Sequence, residues 1–242
     1  TNVCIPGCEL ISVEKMQSTQ AMRAIAEHSD KTYTLLYTKH TALKIGMFAL
    51  ERMVQIMGMT QAGMVYADHY QQMDSVQKPA PVIDYQFGSL RDDFNFGSVL
   101  LFNANVFKEV IENTEEEYQY AGLYDLRLKI SQKSKLVHIN EYLYTEVESD
   151  KRESGEKQFD YVDPKNRQVQ IEMEQACTNH LKEIGGYLYP IFRPVDFSSH
   201  TFEYEASVII PVRNRIRTVK DAVRSALNQQ TTFPFNVIVI DN

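Results

Sequence analysis

Tryptophan, long apolar runs and an excess of basic residues are all missing from this chain of 242 residues. No apolar run approaches the ~20 residues that a membrane-spanning helix needs. The N-terminal sequence TNVCIPGCEL has no basic start followed by an apolar stretch, so no signal peptide is predicted. We therefore expect a cytoplasmic protein without a transmembrane segment.

The charge balance is acidic: 32 Asp and Glu residues outnumber 25 Lys and Arg residues, which gives a net charge of −7. No basic stripe stands out, and this argues against a nucleic-acid partner. A phosphorylated substrate is still compatible with an acidic chain when a divalent cation or a local basic cluster accompanies it.

The three cysteines are too few for a disulfide framework. Cys4 and Cys8 are close in sequence, and Cys177 is far from both. A structural metal site would need four ligands at tighter spacings. Buried free thiols are therefore the favoured interpretation.

Strand-like and helix-like segments alternate along residues 1–147, which predicts an α/β fold with a mainly parallel, Rossmann-like sheet flanked by helices. Apolar residues at helical spacing and short buried runs of β-branched and aromatic residues mark the two types of element. The predicted helices cover residues 19–28, 46–59, 103–111 and 124–131. The predicted strands cover residues 33–37, 63–67, 96–102 and 135–139, and residues 142–147 are predicted to be extended.

A connecting region follows at residues 148–205. It starts with a densely charged stretch that is typical of a solvated loop, and it ends with an irregular linker. Between them lies a helix with Asp163 as the expected N-cap, Pro164 at the first helical position and Gly185 after the end. Its apolar stripe is interpreted as a packing face, formed by Val169, Met173, Cys177, Leu181 and Ile184.

The C-terminal segment, residues 206–242, shows the strongest local pattern. A strand over 205–210 is followed by a helix over 217–228 and a second buried strand over 236–240. Such a crossover unit is almost always right-handed, with its two strands parallel.

This segment resembles the opening of a family-2 glycosyltransferase of the GT-A fold. The Pro-Val-x-Asn turn of the family is matched by residues 211–214, and Asp241 matches the first acidic residue after the second strand. Asn242 stands where a second Asp is commoner. The family's Ser-x-Leu-x-Gln pattern at the helix end is matched by Ser225, Leu227 and Gln229.

The resemblance implies that these strand ends hold the base and ribose of a nucleotide sugar. Ligands of open α/β sheets lie at the carboxyl ends of the strands, and a carboxylate or an amide oxygen can accept a hydrogen bond from an N–H of uracil. For Asp241, a simple turn is the alternative. The implied nucleotide-binding residues are Pro211, Arg213, Asn214, Asp241 and Asn242.

Residues 1–147 resemble the same family more weakly. The similarity lies in residues 33–53, which look like the strand and helix around the family's Asp-x-Asp motif, and in the stretches GMVYADHY, FGSVLLFNANVFKEV, YDLRL and LVHINEYLYTEVESD. In the family, the Asp-x-Asp carboxylates hold Mg²⁺ or Mn²⁺ against the diphosphate. This chain has Thr38-Lys39-His40 there, so the acidic metal motif is absent. Lys39 would either offset phosphate charge directly or be a solvated surface residue.

The second departure concerns the general base that takes the proton of the acceptor hydroxyl. The family's Glu-Asp pair falls at Gly122 and Leu123. Asp125 remains, at a position that commonly caps the helix. Asp92 and Asp93 are the nearest alternative carboxylates, although turn or N-cap roles are favoured for both. A metal site formed by Asp68, His69 and His40 carries little weight.

The resemblance implies a transferase that moves a sugar from a nucleotide sugar to a hydroxyl of a glycan acceptor, with inversion. Processive members carry a Gln-x-x-Arg-Trp motif, so a chain without tryptophan is expected in polysaccharide or glycoconjugate assembly rather than in long homopolymer synthesis. The alternative is a catalytically inactive scaffold or acceptor-binding module. A nucleotidyltransferase is disfavoured because no Gly-rich basic loop follows a strand.

The sequence thus predicts an incomplete GT-A-like domain at 1–147, a connecting region at 148–205, and the opening of a second domain at 206–242. A lone crossover unit cannot bury both of its strands. We therefore expect residues 206–242 to complete the sheet of the first domain in permuted order. The completion would occur within one chain or by segment exchange in a homodimer.

Overall fold

A computed structural model describes residues 8–9, 11–73, 76–148 and 167–241. These residues fall into two compact units, the first ending at Leu188 and the second beginning at Tyr189. No helix within the described ranges is long and apolar enough to cross a membrane.

The first unit contains a mixed six-stranded sheet. The strands are β1 Tyr33–Tyr37, β2 Leu43–Ile45, β3 Met64–Met73, β4 Val76–Ala80, β5 Val99–Asn103 and β6 Leu136–Glu148. They run in the order β1-β5-β3-β6-β2, and β4 pairs with the second half of β3. Among the described strands of this sheet, β3 and β6 are parallel neighbours and every other pair is antiparallel. The α/β class is confirmed, whereas the expectation of a mainly parallel sheet is wrong for this unit.

Five helices belong to the same unit. Ser18 caps the first helix, since its hydroxyl accepts a hydrogen bond from Ala21 N at 3.0 Å. The N-terminal residues predicted for the fifth helix, Asp163 and Pro164, lie outside the described residues. The helices are α1 Thr19–His28, α2 Ala49–Thr60, α3 Ala104–Glu112, α4 Gly122–Lys133 and α5 Arg167–Glu183.

The sheet separates two apolar cores. Met64 and Tyr66 of β3 pack with residues of α1, α3 and α4, while Val65 and Ala67 pack with residues of α2. This alternation is what strand geometry requires, because successive side chains point to opposite faces. The sheet therefore has one core on each face, and a third apolar cluster of the first unit lies between α4 and α5.

Helix α5 packs through a face that differs from the predicted stripe. Its fully buried residues are Glu172, Ala176 and His180, while Met173 and Cys177 are half-buried. The interpretation of buried thiols is wrong for Cys8, which is exposed. Cys4 lies outside the described residues.

The second unit has the predicted strand–helix–strand order, with β7 Ala206–Val212, α6 Val219–Leu227 and β8 Phe235–Asp241. The two strands are parallel and in register from Ala206 opposite Phe235 to Val212 opposite Asp241. They form a two-stranded sheet of their own. Completion of the larger sheet within one chain is therefore wrong in this structure, because every described pairing of β7 and β8 is between these two strands. Exchange between two chains stays a prediction.

Candidate functional site

A cavity of about 500 Å³ opens in the first unit, and we call it the main cavity. Its walls come from the segment after β1, the loop before β5, the first turns of α4 and one residue of α5. The lining residues include Thr38, Lys39, Asp92, Asp93, Phe94, Phe96, Tyr120, Leu123, Tyr124, Arg127 and Met173. The fold thus brings together members of three separate stretches that the sequence singled out: Thr38 and Lys39, Asp92 and Asp93, and Leu123.

Lys39 is held by a buried carboxylate. Its ammonium group donates a hydrogen bond to Glu146 Oε2 and forms an ion pair with it, and the Glu146 side chain is only 1% exposed. The other oxygen of Glu146 lies 3.5 Å from His69 Nε2. Neither interpretation of Lys39, phosphate ligand or solvated residue, included this partner. Because Glu146 has no access to water, releasing Lys39 to a phosphate would leave a buried charge poorly compensated.

The residues at positions 38–40 do not fit Mg²⁺ or Mn²⁺. Thr38 donates its backbone N–H to Ser98 O at 2.9 Å, Lys39 is a cation, and His40 is exposed. Hard divalent cations prefer several carboxylate or carbonyl oxygens. Within the part of the chain that the structure describes, no group of three or more His, Cys, Asp or Glu side chains could hold a metal ion.

The alternative metal site at Asp68, His69 and His40 is not formed. Asp68 accepts a hydrogen bond from Val82 N at 2.8 Å and lies 2.9 Å from His138 Nε2. His69 instead stacks on Tyr144 with ring centroids 5.1 Å apart. The two neighbours therefore serve opposite faces of β3 and cannot share a ligand set.

The position of the implied general base is filled by backbone. A Cβ added to Gly122 would lie 2.8 Å from Gln17 O and closer still to Ser18 C and Thr19 N. Leu123 N also donates to Gln17 O at 3.2 Å, so the start of α4 is fastened to the start of α1. No side chain fits at position 122, and position 123 presents a leucine to the main cavity.

The two candidate aspartates of the loop differ in their surroundings. Asp93 accepts two hydrogen bonds from Arg91, at 2.8 and 2.7 Å, and this pairing lowers the pKa of the Asp93 carboxyl. Asp92 is exposed and makes no hydrogen bond or ion pair within the described ranges. Of the two, Asp92 is therefore the carboxylate that remains available to a ligand.

Asp125 lies outside the main cavity. It is buried and pairs with Lys129 Nζ at 2.8 Å, and burial raises the pKa of its carboxyl. The expected capping role is wrong, because Asp125 stands within the first turn of α4 and Ala121 occupies the N-cap position. Glu172 of α5 binds the segment that leads into α4, accepting hydrogen bonds from Tyr120 N at 2.7 Å and Ala121 N at 3.3 Å.

Arg127 lines the main cavity and was not among the site residues that the sequence predicted. Its side chain is almost fully buried, and it donates hydrogen bonds to Ser89 O at 3.2 Å and Arg91 O at 3.1 Å. The guanidinium carbon also lies 4.8 Å from the ring centre of Tyr124 and 5.2 Å from that of Phe96. Burial lowers the pKa of this guanidinium. The sequence carries no periodic signal for this burial, because Arg127 stands between two leucines in the stretch YDLRL.

In the second unit, the predicted nucleotide-binding residues lie at one end of the two-stranded sheet. Pro211 pairs with Ile240, and Val212 with Asp241, so the residues that follow β7 are close to the end of β8. Asn214 adopts a left-handed conformation with φ of 53°. Asn242 lies outside the described residues.

Comparisons with known proteins leave the family open, since no protein-family model and no curated protein matches this chain. A functional assignment therefore depends on the geometry of the main cavity. That geometry combines aromatic walls, a buried cation and an unpaired carboxylate. It lacks the acidic cluster that a metal would need.

Proposed function

We propose that the first unit binds a sugar-bearing ligand in the main cavity without transferring the sugar. It would be the degenerate copy of a family-2 glycosyltransferase domain with a GT-A-like fold, acting in polysaccharide or glycoconjugate assembly. One observation carries the proposal. The two positions at which the family keeps its metal ligands and its base converge on a single cavity, and neither holds a carboxylate.

The main cavity has the aromatic and polar side chains that are typical of a ligand-binding site. Ligand sites are typically lined by aromatic and apolar side chains, with a few polar groups that fix orientation. Phe94 and Phe96 lie 4.4 Å apart between ring centres, and Tyr124 lines the same wall. Their rings offer flat apolar surfaces for the C–H faces of a sugar, while Asp92 and Arg127 offer a hydrogen-bond acceptor and donors.

The chemistry of transfer is not supported. An inverting transfer needs a base at the acceptor hydroxyl and positive charge at the leaving diphosphate. Backbone atoms occupy the space where a side chain at Gly122 would lie, and the cation of Lys39 already compensates Glu146. Gly122 and Lys39, which stand where the family has acidic residues, are thus each fixed by contacts with their neighbours.

Nucleotide-sugar binding is assigned to the second unit. Arg213, Asn214 and Asp241 lie at the same ends of two parallel strands, where open α/β sheets bind their ligands. Pro211 and Asn242 complete the set that the resemblance implies. In this division of roles the first unit would hold a glycan acceptor and the second unit the sugar donor.

Asp92 supports a second candidate, an active transferase. As an unpaired carboxylate in the main cavity, it could take the proton of an acceptor hydroxyl while that oxygen attacks the anomeric carbon. The nucleoside diphosphate would leave from the opposite face, which inverts the anomeric centre.

The absence of tryptophan allows a direct binding test. A Tyr120→Trp variant places a single indole on the wall of the main cavity, and Phe192→Trp places one at an exposed position of the second unit. We expect methyl β-glucoside to change the fluorescence of the first variant and leave the second unchanged. Equal responses, or none, would contradict binding in the main cavity.

A second measurement separates the two candidates. The unmodified chain is titrated with UDP and GDP, with and without Mn²⁺, and then assayed for release of UDP from UDP-glucose in the presence of methyl β-glucoside. The proposal expects no release. Release that disappears in Asp92→Asn would overturn it and establish the transferase.

A further inference from the structure

The main cavity contains a buried cation whose charge is not balanced by an acidic side chain. Arg127 is 6% exposed, yet its hydrogen bonds go to two neutral carbonyl oxygens. Among the described residues, no carboxylate forms an ion pair with it. Isolated buried charges are costly, and proteins normally pair them.

The surroundings of Arg127 hold its guanidinium in place without neutralising it. The rings of Tyr124, Phe96 and Tyr85 lie 4.8, 5.2 and 5.9 Å from the guanidinium carbon. Ring faces attract a cation through their quadrupole and leave its net charge intact. A guanidinium carries five N–H donors, and two hydrogen bonds to carbonyls leave the others available.

Neither of the two aspartates in the loop before β5 pairs with Arg127. Asp93 is held by Arg91 through two hydrogen bonds. Asp92 lines the main cavity and exerts only a longer-range attraction on Arg127. The other lining cation, Lys39, is committed to Glu146. Arg127 is therefore the lining cation whose charge a ligand could satisfy.

We propose that the ligand of the main cavity is an acidic sugar, whose oxyanion substituent, a carboxylate or a phosphate, binds Arg127. This inference rests on the proposed sugar-binding function and specifies its ligand class. The forked guanidinium matches the paired oxygens of either group, and such charge-assisted bonds are among the strongest in proteins. The aromatic walls would contact the sugar ring to which the oxyanion is attached.

The test compares three ligands with the unmodified chain by calorimetric titration. Methyl β-glucuronide and methyl β-glucoside differ only in a carboxylate at C6, and glucose 6-phosphate carries a phosphate there. We expect each acidic sugar to bind at least about tenfold more tightly than the neutral glucoside. The tighter of the two acidic ligands identifies the preferred oxyanion.

Two variants test whether Arg127 causes the preference for acidic sugars. Arg127→Met should reduce the affinity for both acidic sugars to that for the glucoside. Arg52→Met removes an exposed arginine that pairs with Glu141 on another face, and it should leave the preference unchanged. If Arg127→Met does not fold, the ligand ratios of the unmodified chain decide alone.

The outcomes separate the inference from the proposed function. Equal affinities for the three ligands, or a preference that survives in a folded Arg127→Met variant, would overturn the acidic-sugar inference and leave sugar binding intact. Failure of all three ligands to bind would overturn both. Turnover of UDP-glucose would contradict the proposed function, while a preference for acidic sugars could still be measured.

Discussion

Gly122 shows how one residue without a side chain allows two helices to pack closely at their N-terminal ends. Its Cα faces the backbone of residues 17–19 so closely that a methyl group has no space. The contact involves backbone atoms on both sides, so a side-chain rotation cannot relieve it. Gly122 therefore allows the starts of α1 and α4 to lie in contact, and Gln17 and Leu123 at this contact line the main cavity.

Gly122→Ala should therefore destabilise the protein by about 3 kcal/mol, the upper range for overpacking. Gly58→Ala is the matched control, because its Cβ in α2 would meet only the Tyr33 hydroxyl at 4.0 Å. Alanine is the better helix former, so the control should gain up to about 1 kcal/mol. Urea unfolding of both variants measures the difference. Equal stabilities would mean that the start of α1 moves aside freely.

The ion pair of Lys39 and Glu146 gives a second prediction at the scale of residues. Lys39→Met leaves a buried carboxylate without its main partner and should lower the free energy of unfolding by about 3 kcal/mol. The double variant Lys39→Met/Glu146→Gln should recover part of this loss. Lys31→Met, which breaks an exposed pair with Asp30, should have little effect. A double variant no more stable than Lys39→Met would refute the role of the charge.

At the scale of elements, helix α5 depends on polar contacts with α4. His180 is buried, and its Nδ1 lies 2.9 Å from Gln132 Nε2, a donor. Burial lowers the pKa of His180, with Arg127 acting in the same direction and Glu183 opposing it. The folded state therefore favours the neutral ring, which can accept the hydrogen bond from Gln132.

A lowered folded pKa means that the unfolded state binds the proton more tightly. The contribution of His180 to stability is thus present above its unfolded pKa, about 6.5, and is lost as pH falls from there toward the folded value. We expect the amide hydrogens of α5 to lose protection over this range relative to those of β3. In His180→Gln this difference between α5 and β3 should be much smaller. An unchanged pH dependence in the variant would assign the effect to another group.

Elements were easier to predict than their arrangement. The bounds of α1 and β1 follow from local apolar spacing, and the structure reproduces them. The direction of β5 does not follow, because it is set by the neighbours the strand meets across the sheet. The buried face of α5 was misassigned since Glu172 and His180 count as polar in any hydrophobic pattern, although their partners make burial favourable.

For the candidate site, too, individual residues were easier to predict than the way in which they come together. Residues 38–40, 92–93 and 122–123 were singled out separately, but the convergence of Lys39, Asp92 and Leu123 on one cavity is a property of the fold. Arg127 was missed because a charged residue between two leucines gives no periodic signal. Its importance comes from rings contributed by Phe96 and Tyr85, which are distant in sequence.

At the scale of the molecule, the two units differ in how well they bury their residues. No residue of the second unit, within the described positions 189–241, is fully buried, whereas β3 contains six consecutive buried residues. Apolar side chains such as Ile209 and Ile240 are at least half exposed. Strands that lack buried contacts open easily, which lowers the protection of their amides.

We therefore expect the opening free energies of β7 and β8 to be at least about 4 kcal/mol lower than that of β3. In a dilute sample, the amide hydrogens of β7 and β8 should then exchange about 1,000 times faster than those of β3, or more. Segment exchange between two chains would bury the exposed strands. In that case protection of β7 and β8 should rise with protein concentration, and sedimentation should detect a dimer. Strong protection in a dilute monomer would contradict the expected difference.

The close approach at Gly122 also bears on how this domain can change over time. A carboxylate at that position requires more than one substitution, because the entry to α1 already occupies the space. Residues 17–19 would first have to follow another path and give up the hydrogen bond from Leu123 N to Gln17 O. Sequence variation at this junction is therefore coupled. Position 122 can accept a side chain only together with changes in the segment that leads into α1.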